Sequence, residues 1–266
     1  MSALAQRLSA ARAEGRAALI AYLPVGYPSV PGSIAAMQAV VAAGADVIEV
    51  GLPYSDPVMD GPVIQRAAQQ ALAAGVRVRD VFTAVRAVVD AGAVAVVMSY
   101  WNPVLRYGVD TFARDLAAAG GSGMITPDLI PDEAQPWLEA SQTHGLDRIF
   151  LVAPSSTDAR LSMTVQACSG FVYVASTMGV TGVRSQVGTG AGELIRRTRA
   201  VTDLPLCVGL GVSTGEQAAQ VAAYADGVIV GSALVKAMDS APDGDLGALS
   251  ALTADLARGV RAGSAT

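Results

Sequence analysis

Residues 45–62 read ADVIEVGLPYSDPVMDGP. The apolar, β-branched run Val47–Gly51 predicts a strand that is buried on both faces. Glu49 lies at the end of this run, where a carboxylate costs folding free energy unless it is paired or solvated, so its placement needs a chemical reason. The loop that follows supplies a second carboxylate, Asp60. The stretch therefore predicts two acids close to the end of one buried strand.

Similar apolar runs recur along the chain and alternate with Ala-rich helical stretches. Because each run is continuous, both faces of each strand are expected to be covered, as in a parallel sheet. The predicted strands are Ala18–Leu23, Val47–Gly51, Val94–Ser99, Met124–Thr126, Ile149–Val152, Phe171–Ala175, Leu206–Gly209 and Val228–Val230. The predicted helices are Val30–Ala43, Val63–Ala73, Asp80–Ala91, Val109–Ala119, Asp132–His144, Asp158–Ala167, Ala191–Val201 and Gly215–Tyr224.

About eight strand-helix units predict the fold class α/β and a closed barrel. A chain of 266 residues suits a single (β/α)8 TIM barrel with extra short helices, whose usual size is roughly 250 residues. We expect residues 1–266 to form this one domain. An open, doubly wound sheet is the alternative, but no GxGxxG follows the first predicted strand, and the number of units favours closure.

Composition excludes several classes of protein. A net charge of -5 and a pI near 4.9 argue against a nucleic-acid-binding surface. No apolar run approaches the ~20 residues that cross a bilayer, and the N-terminus lacks the pattern of a signal peptide, so the expected location is cytoplasmic. Cys168 and Cys207 are far apart in sequence and are expected to be reduced core residues.

The strand ends predict the position and class of a ligand. In a barrel, catalytic groups gather at the carboxyl ends of the strands, because the loops after the strands converge there. Gly211 follows the seventh predicted strand, and Gly231 and Ser232 follow the eighth. Glycines let backbone N–H groups approach an anion closely, and a short helix starting at Ser232 would add its positive end. These residues therefore predict a phosphorylated ligand, without indicating the reaction.

Three familiar kinds of catalytic site lack the residues that they need. A multi-histidine metal site is excluded because His144 is the only histidine. His144 lies at the end of a predicted helix, beside Gly145, which argues against a Ser-His-Asp triad. We expect it to cap a helix or to be solvated. A Schiff-base aldolase would need a lysine on a strand, and none of the predicted strands carries one; Lys236 lies after the eighth strand.

The stretch from Ile48 to Pro62 matches the pattern I-E-x-G-x-P-[FY]-S-D-P-x-x-D-G-P at every fixed position. The chain resembles tryptophan synthase alpha chains along nearly all its length. The resemblance implies retro-aldol cleavage of indole-3-glycerol phosphate to indole and glyceraldehyde 3-phosphate, with no cofactor in this chain. It implies that Glu49 shuttles protons and that Asp60 accepts a hydrogen bond from the indole N–H, although the opposite assignment stays open.

The resemblance also implies the remaining site residues and the partner. Thr181 and Gly182 match a lid, and Gly182 also matches a phosphate contact. Tyr173 matches a substrate-facing tyrosine, although a buried core tyrosine is the alternative. The residues expected to line an indole slot are Tyr22, Met98, Tyr100, Ile125 and Ile229. The expected partner is a beta subunit that carries pyridoxal phosphate and consumes the indole, in an alpha2beta2 heterotetramer.

Some positions depart from the family pattern. Pro24 and Tyr27 stand where threonine and aspartate are common, Trp101 where a small residue is usual, and Phe171 where tyrosine is frequent. Asp128, in a Pro-flanked loop, is expected to have a structural or coupling role. The alternative functions are a free-standing indole-3-glycerol-phosphate lyase, a phosphoribosylanthranilate isomerase and a catalytically silent regulatory partner. Retention of both acids argues against the last, and the acid-bearing motif argues against the isomerase.

Overall fold

A computed structural model of the chain describes residues 1–175, 190–209, 211–239 and 244–263. Its sheet has nine parallel strands. They are β1 (Ala18–Pro24), β2 (Val47–Gly51), β3 (Val94–Met98), β4 (Gly123–Ile125), β5 (Asp147–Ile149), β6 (Leu151–Val152), β7 (Val172–Ala175), β8 (Leu206–Gly209) and β9 (Gly227–Val230). The predicted strands are confirmed to within a residue or two, and Val47–Gly51 matches at both ends.

The sheet closes into the predicted (β/α)8 barrel. Its strand order is β5-β4-β3-β2-β1-β9-β8-β7-β6. The two strands at the ends of this order are consecutive in the chain and are separated by Phe150 alone. They are therefore two pieces of the fifth barrel strand, which the sequence predicted as the single run Ile149–Val152.

The helices of the described residues surround the sheet. They are α1 (Ala3–Ala13), α2 (Val30–Ala42), α3 (Pro62–Ala73), α4 (Val78–Asp90), α5 (Trp101–Tyr107), α6 (Val109–Ala118), α7 (Gln135–His144), α8 (Asp158–Ala167), α9 (Gly190–Arg199), α10 (Gly215–Ala222), α11 (Ser232–Asp239) and α12 (Gly247–Ala262). None of them combines the length and the apolar composition needed to cross a membrane.

Two predicted helix starts differ from the observed ones for local reasons. The helix expected from Asp80 begins at Val78, because the Asp80 carboxylate accepts a hydrogen bond from the backbone N–H of Arg77 at 2.7 Å and caps the first turn. The helix expected from Asp132 is a 3-10 turn over Pro131–Glu133, followed by α7. Pro136 has no N–H to donate to a preceding turn, so the α-helix can start only beside it.

Alternate residues of each strand point into the barrel, as the two-residue period of a strand requires. Val47, Val96, Ile149 and Cys207 belong to one buried inner cluster. The sequence analysis did not predict α1, whose Leu4 and Leu8 join the same cluster. This helix therefore closes the amino-terminal end of the barrel, and the inner face opens at the carboxyl ends of the strands.

An ion pair holds the start of β2 against the start of β1. The guanidinium of Arg16 donates to both carboxylate oxygens of Asp46, at 2.8 and 2.9 Å. Asp46 also accepts a hydrogen bond from the backbone N–H of Leu19 at 2.9 Å. Both charged side chains are largely buried. The contact fixes the register that places Glu49 beside Tyr22.

Candidate active site

Glu49 lies on the inner face of the barrel near the carboxyl end of β2. In the strand register it stands beside Tyr22 of β1 and Val96 of β3. The residue is 1% exposed, and neither carboxylate oxygen has a hydrogen-bond partner among the described residues. Burial raises the pKa of Glu49 from 4.5 to about 8. The carboxyl group is therefore mostly protonated at neutral pH and can donate a proton.

Asp60 lies in the loop between β2 and α3, in surroundings that differ from those of Glu49. Burial raises the pKa of Asp60 from 3.8 to about 6, and a hydrogen bond from the Tyr100 hydroxyl opposes the rise. Asp60 is therefore mostly ionised at neutral pH. The site holds one carboxylic acid and one carboxylate at the same pH, which suits acid-base catalysis.

Tyr100 connects the Asp60 loop to the end of β3. Its hydroxyl oxygen accepts a hydrogen bond from the backbone N–H of Met59 at 3.1 Å while it donates to Asp60. Its ring packs against Tyr54 of the same loop, with the two ring centroids 5.2 Å apart. Tyr100, which the sequence predicted as part of an indole slot, thus also contacts the acid loop directly.

Tyr22 and Tyr173 reach over neighbouring strands because glycines stand there. A Cβ atom at Gly51 would lie 2.5 Å from Tyr22 Oη, and one at Gly209 would collide with Tyr173 Oη. Burial raises the pKa of both hydroxyls, and the negative charges of the two acids add to the rise. Both hydroxyls therefore remain protonated close to the acids.

Apolar side chains form the wall of the same space. Ile125 and Ile229 are buried in the inner cluster together with Tyr173, and Met98 packs against this cluster. Ile125 is the last residue of β4, and Ile229 precedes the last residue of β9. Met98, Ile125 and Ile229, three of the residues predicted to line an indole slot, thus belong to the inner side of the barrel.

The predicted phosphate-binding residues lie at the ends of β8 and β9. Gly211 has a φ of 71°, a conformation that glycine adopts without strain. Gly231 lies against the ring of Tyr22, since a Cβ atom there would be 3.2 Å from Tyr22 Cδ1. Helix α11 starts at Ser232, so its first backbone N–H groups are available at this end of the barrel. These groups could hold an anion beside the two acids.

Two predicted site residues, Thr181 and Gly182, lie within 176–189 and so fall outside the described residues. Asp128 accepts hydrogen bonds from the backbone N–H of Trp101 at 2.9 and 3.1 Å. It therefore caps α5, a structural role of the kind expected. His144 ends α7, and its Nε2 lies 2.9 Å from Asp110 Oδ1.

The other departures from the family pattern have defined places. Pro24 is the last residue of β1 and pairs in register with Gly51. The hydroxyl of Tyr27 donates a hydrogen bond to Asp239. Phe171 is fully buried in the inner cluster.

Sequence reasoning missed three residues that shape the site: Gly51, Gly209 and Gln65. A glycine at a strand end beside a tyrosine of the next strand is a signal for the first two. Gln65 lies in the first turn of α3, and its Nε2 donates to the backbone carbonyl of Asp60 at 2.8 Å. A glutamine in a first helical turn that follows an acid-bearing loop is the corresponding signal.

The side chains indicate chemistry based on protons. Among the described residues, no group of His, Cys, Asp and Glu is arranged to hold a metal ion. The only lysine, Lys236, lies on α11 rather than on a strand. The site combines a protonated Glu49 and an ionised Asp60 with an apolar wall and with glycines at the ends of β8 and β9. This arrangement suits proton transfer to a flat apolar substrate that carries a phosphate.

Comparison with known proteins gives a consistent result. A family profile described as tryptophan synthase alpha chain matches residues 8–261. The chain is 65% identical to a tryptophan synthase alpha chain of Mycobacterium avium (strain 104), over 98% of this chain and 95% of that protein. It is 62% identical to one of Thermobifida fusca (strain YX), over 98% and 99% of the two chains.

Solved structures agree with these sequence matches. A chain of Mycobacterium tuberculosis tryptophan synthase superposes with a TM-score of 0.93 at 65% identity, covering 98% of both chains. Tryptophan synthase subunit alpha of Legionella pneumophila superposes with a TM-score of 0.88 at 34% identity, again covering 98% of both chains. The fold is therefore retained where two thirds of the residues differ.

The raised pKa of Glu49 predicts a pH-dependent stability. Between pH 4.5 and about 8 the unfolded chain has released this proton while the folded chain keeps it, so the free energy of unfolding falls as pH rises. The expected fall is on the order of 5 kcal/mol, since each unit of the shift from 4.5 to about 8 is worth about 1.4 kcal/mol. The Glu49→Gln variant lacks the titrating group and should gain stability over wild type as pH rises.

Urea unfolding of both proteins at pH 5, 6.5 and 8 measures this difference. A difference in unfolding free energy that stays constant across these pH values would contradict the raised pKa of the buried Glu49 carboxyl group.

Proposed function

Because the chain belongs to the tryptophan synthase alpha chain family, whose members cleave indole-3-glycerol phosphate, we propose that Glu49 and Asp60 carry out this cleavage. The observation that carries the proposal is the contrast between the two acids. Glu49 is buried, has no hydrogen-bond partner among the residues that the structure describes, and is protonated at neutral pH, whereas Asp60 is hydrogen-bonded and ionised. Two carboxyl groups in one site with different pKa values can take opposite roles.

In the proposed reaction Glu49 first donates its proton to C3 of the indole ring, which becomes tetrahedral. The Glu49 carboxylate then removes the proton of the hydroxyl group on the adjacent side-chain carbon. That oxygen forms the aldehyde carbonyl, the bond between this carbon and C3 breaks, and its electron pair restores the aromatic ring. Glu49 ends protonated, so one group shuttles both protons and the step needs no other reactant.

Asp60 stabilises the charge that develops on the indole ring. Protonation at C3 makes the ring nitrogen electron-poor, and its N–H becomes a stronger hydrogen-bond donor. The Asp60 carboxylate accepts this hydrogen bond and opposes the positive charge, and an electrostatic contact of this kind gains strength in a site that excludes water. Tyr22, Tyr100, Ile125, Tyr173 and Ile229 line the slot for the ring.

The phosphate of the substrate is proposed to lie at the end of β8 and β9. Backbone N–H groups near Gly211 and Gly231, together with the start of α11 at Ser232, would hold it. By resemblance, Gly182 adds a contact and Thr181 closes over the bound ligand. The strand order places β9 next to β1 and β1 next to β2, so the phosphate site is two strands from Glu49.

We also propose a beta subunit that carries pyridoxal phosphate as the partner, in an alpha2beta2 heterotetramer. Support comes from the solved relative, which is a tryptophan synthase, and from the rim of the barrel. Val58, Leu105 and Ile130 are exposed by 68%, 56% and 40%, and they lie after β2, β3 and β4. Exposed apolar side chains in the segments that follow three successive strands suit a protein contact.

The remaining proposals concern the chain as a whole. We place residues 1–266 in a single barrel domain, and we place the protein in the cytoplasm. Its relatives are biosynthetic enzymes, and Cys168 and Cys207 are free and buried, which is usual in a reducing compartment.

The catalytic proposal predicts the behaviour of two isosteric variants. Glu49→Gln keeps the shape but cannot transfer a proton, so kcat should fall by at least ~100-fold. Asp60→Asn should also lower kcat, because the amide carries no charge to oppose the one on the ring. Release of indole from indole-3-glycerol phosphate measures both effects, with circular dichroism as the control for folding. Near-normal turnover by folded Glu49→Gln would overturn the role of Glu49.

The phosphate proposal predicts that a side chain at Gly211 blocks the close approach of the backbone to the ligand. Gly211→Leu should weaken binding of glyceraldehyde 3-phosphate by about 10-fold or more in calorimetric titration. Gly145 is a matched control, because its φ of 69° is similar and a Cβ atom there would meet no atom within 4 Å. Unchanged affinity in Gly211→Leu, or an equal loss in Gly145→Leu, would refute the anchor.

The partner proposal predicts a stable complex with the tryptophan synthase beta chain of the same organism. Light scattering after gel filtration should give the mass of two chains of each kind, and the absorbance of pyridoxal phosphate should follow the beta chain. Indole release should rise when the beta chain is added. Full activity of the isolated chain with no complex would instead favour a free-standing lyase.

A further inference from the structure

The loop that carries Asp60 is held on two sides by different parts of the fold. On the amino-terminal side, the Tyr100 hydroxyl oxygen accepts the backbone N–H of Met59 at 3.1 Å. On the carboxyl-terminal side, Gln65 Nε2 donates to the backbone carbonyl of Asp60 at 2.8 Å. The two contacts enclose the residue whose side chain is proposed to meet the indole ring.

Gln65 is itself held in place, so its hydrogen bond can fix the position of the Asp60 backbone. Its backbone N–H donates to the carbonyl of Gly61 at 3.0 Å, in the first turn of α3. Ile64, Ala67 and Ala68 of the same helix are buried against the core. The side-chain amide therefore reaches back from a fixed helix to a loop that includes the exposed residue Val58.

We propose that Gln65 is a positioning residue for Asp60. Its amide fixes the carbonyl of Asp60 and so sets the direction in which the carboxylate points. The inference rests on the proposed role of Asp60 in the reaction. A carboxylate that stabilises charge in a transition state has to be aimed closely, and a displacement of about 1 Å can cost as much as ~100-fold in rate.

The Gln65 contact is separate from the hydrophobic packing of its helix. The hydrophobic packing of α3 comes from its buried face, to which Gln65 does not belong. Gln65 and Gln69 both line a cavity of about 200 Å³ together with residues 54–57 of the acid loop. Gln69 is exposed and lies one helical turn further on, so it offers the same side chain as a matched control.

The test compares Gln65→Leu, which removes the donor at similar volume, with Gln69→Leu. Gln65→Leu should lower kcat for indole release by about 10-fold, with a smaller change in KM and with the thermal midpoint unchanged. Gln69→Leu should behave as wild type in kcat, KM and thermal midpoint.

The pH profile separates positioning from general damage to the fold. Burial keeps the pKa of Asp60 near 6, so a loosened loop that admits water should move the acid limb of kcat/KM to lower pH. Loss of folded protein would lower the whole profile without moving this limb. Tyr100→Phe removes the other support, and combining it with Gln65→Leu should give a non-additive loss.

Asp60→Asn distinguishes failure of the inference from failure of the proposed function. Gln65→Leu could show wild-type kcat and an unmoved acid limb of the pH profile while Asp60→Asn is impaired. That result would overturn the positioning role of Gln65 alone. Wild-type turnover in Asp60→Asn would overturn the role of Asp60 itself. If Gln65→Leu does not fold, the isosteric Gln65→Glu replaces it, because its ionised carboxylate cannot donate to the carbonyl, and the same two readouts decide.

Discussion

The burial of the Glu49 carboxyl group, with no hydrogen-bond partner in the described part of the chain, is the constraint on which the site depends. Leaving a buried polar group unsatisfied costs about 1–3 kcal/mol, so the rest of the barrel has to hold the strand firmly. Val47 lies two residues earlier on the same inner face and is fully buried, and Val96 stands alongside. The Arg16–Asp46 ion pair fastens the other end of the strand. A stable apolar barrel thus keeps a carboxylic acid protonated at neutral pH.

The second acid shows how the same fold produces the opposite charge state. Asp60 is carried by a loop rather than a strand, and a loop brings hydrogen-bond donors to it. The hydroxyl of Tyr100 favours the ionised form and works against burial. Glu49 has no comparable donor among the described residues. The different surroundings of the two side chains therefore leave one carboxyl group protonated and the other ionised at neutral pH.

Local patterns were sufficient to predict most of the architecture. The β-branched run that ends at Gly51 predicted both ends of β2, and the number of strand-helix units predicted closure. Glu49 and Asp60 could be selected because acids are unusual beside a buried strand and because the surrounding pattern is long. Local patterns failed where one residue changed the outcome, as Pro136 did by forcing a break before α7. Contacts between distant segments could not be predicted from local patterns either. Examples are the packing of α1 at the amino-terminal end of the barrel and the contact of Tyr173 with Gly209.

The closure of the barrel by α1 has a kinetic consequence. Leu4 and Leu8 fill the amino-terminal end of the inner face. The space around Glu49 therefore opens at the carboxyl ends of the strands. Among the described residues, access to Glu49 therefore lies on the face that also carries the Asp60 loop and the start of α11. A protein docked on this rim would slow the exchange of ligands with solvent. A helix at one end of the barrel thus sets the side from which ligands reach the other end.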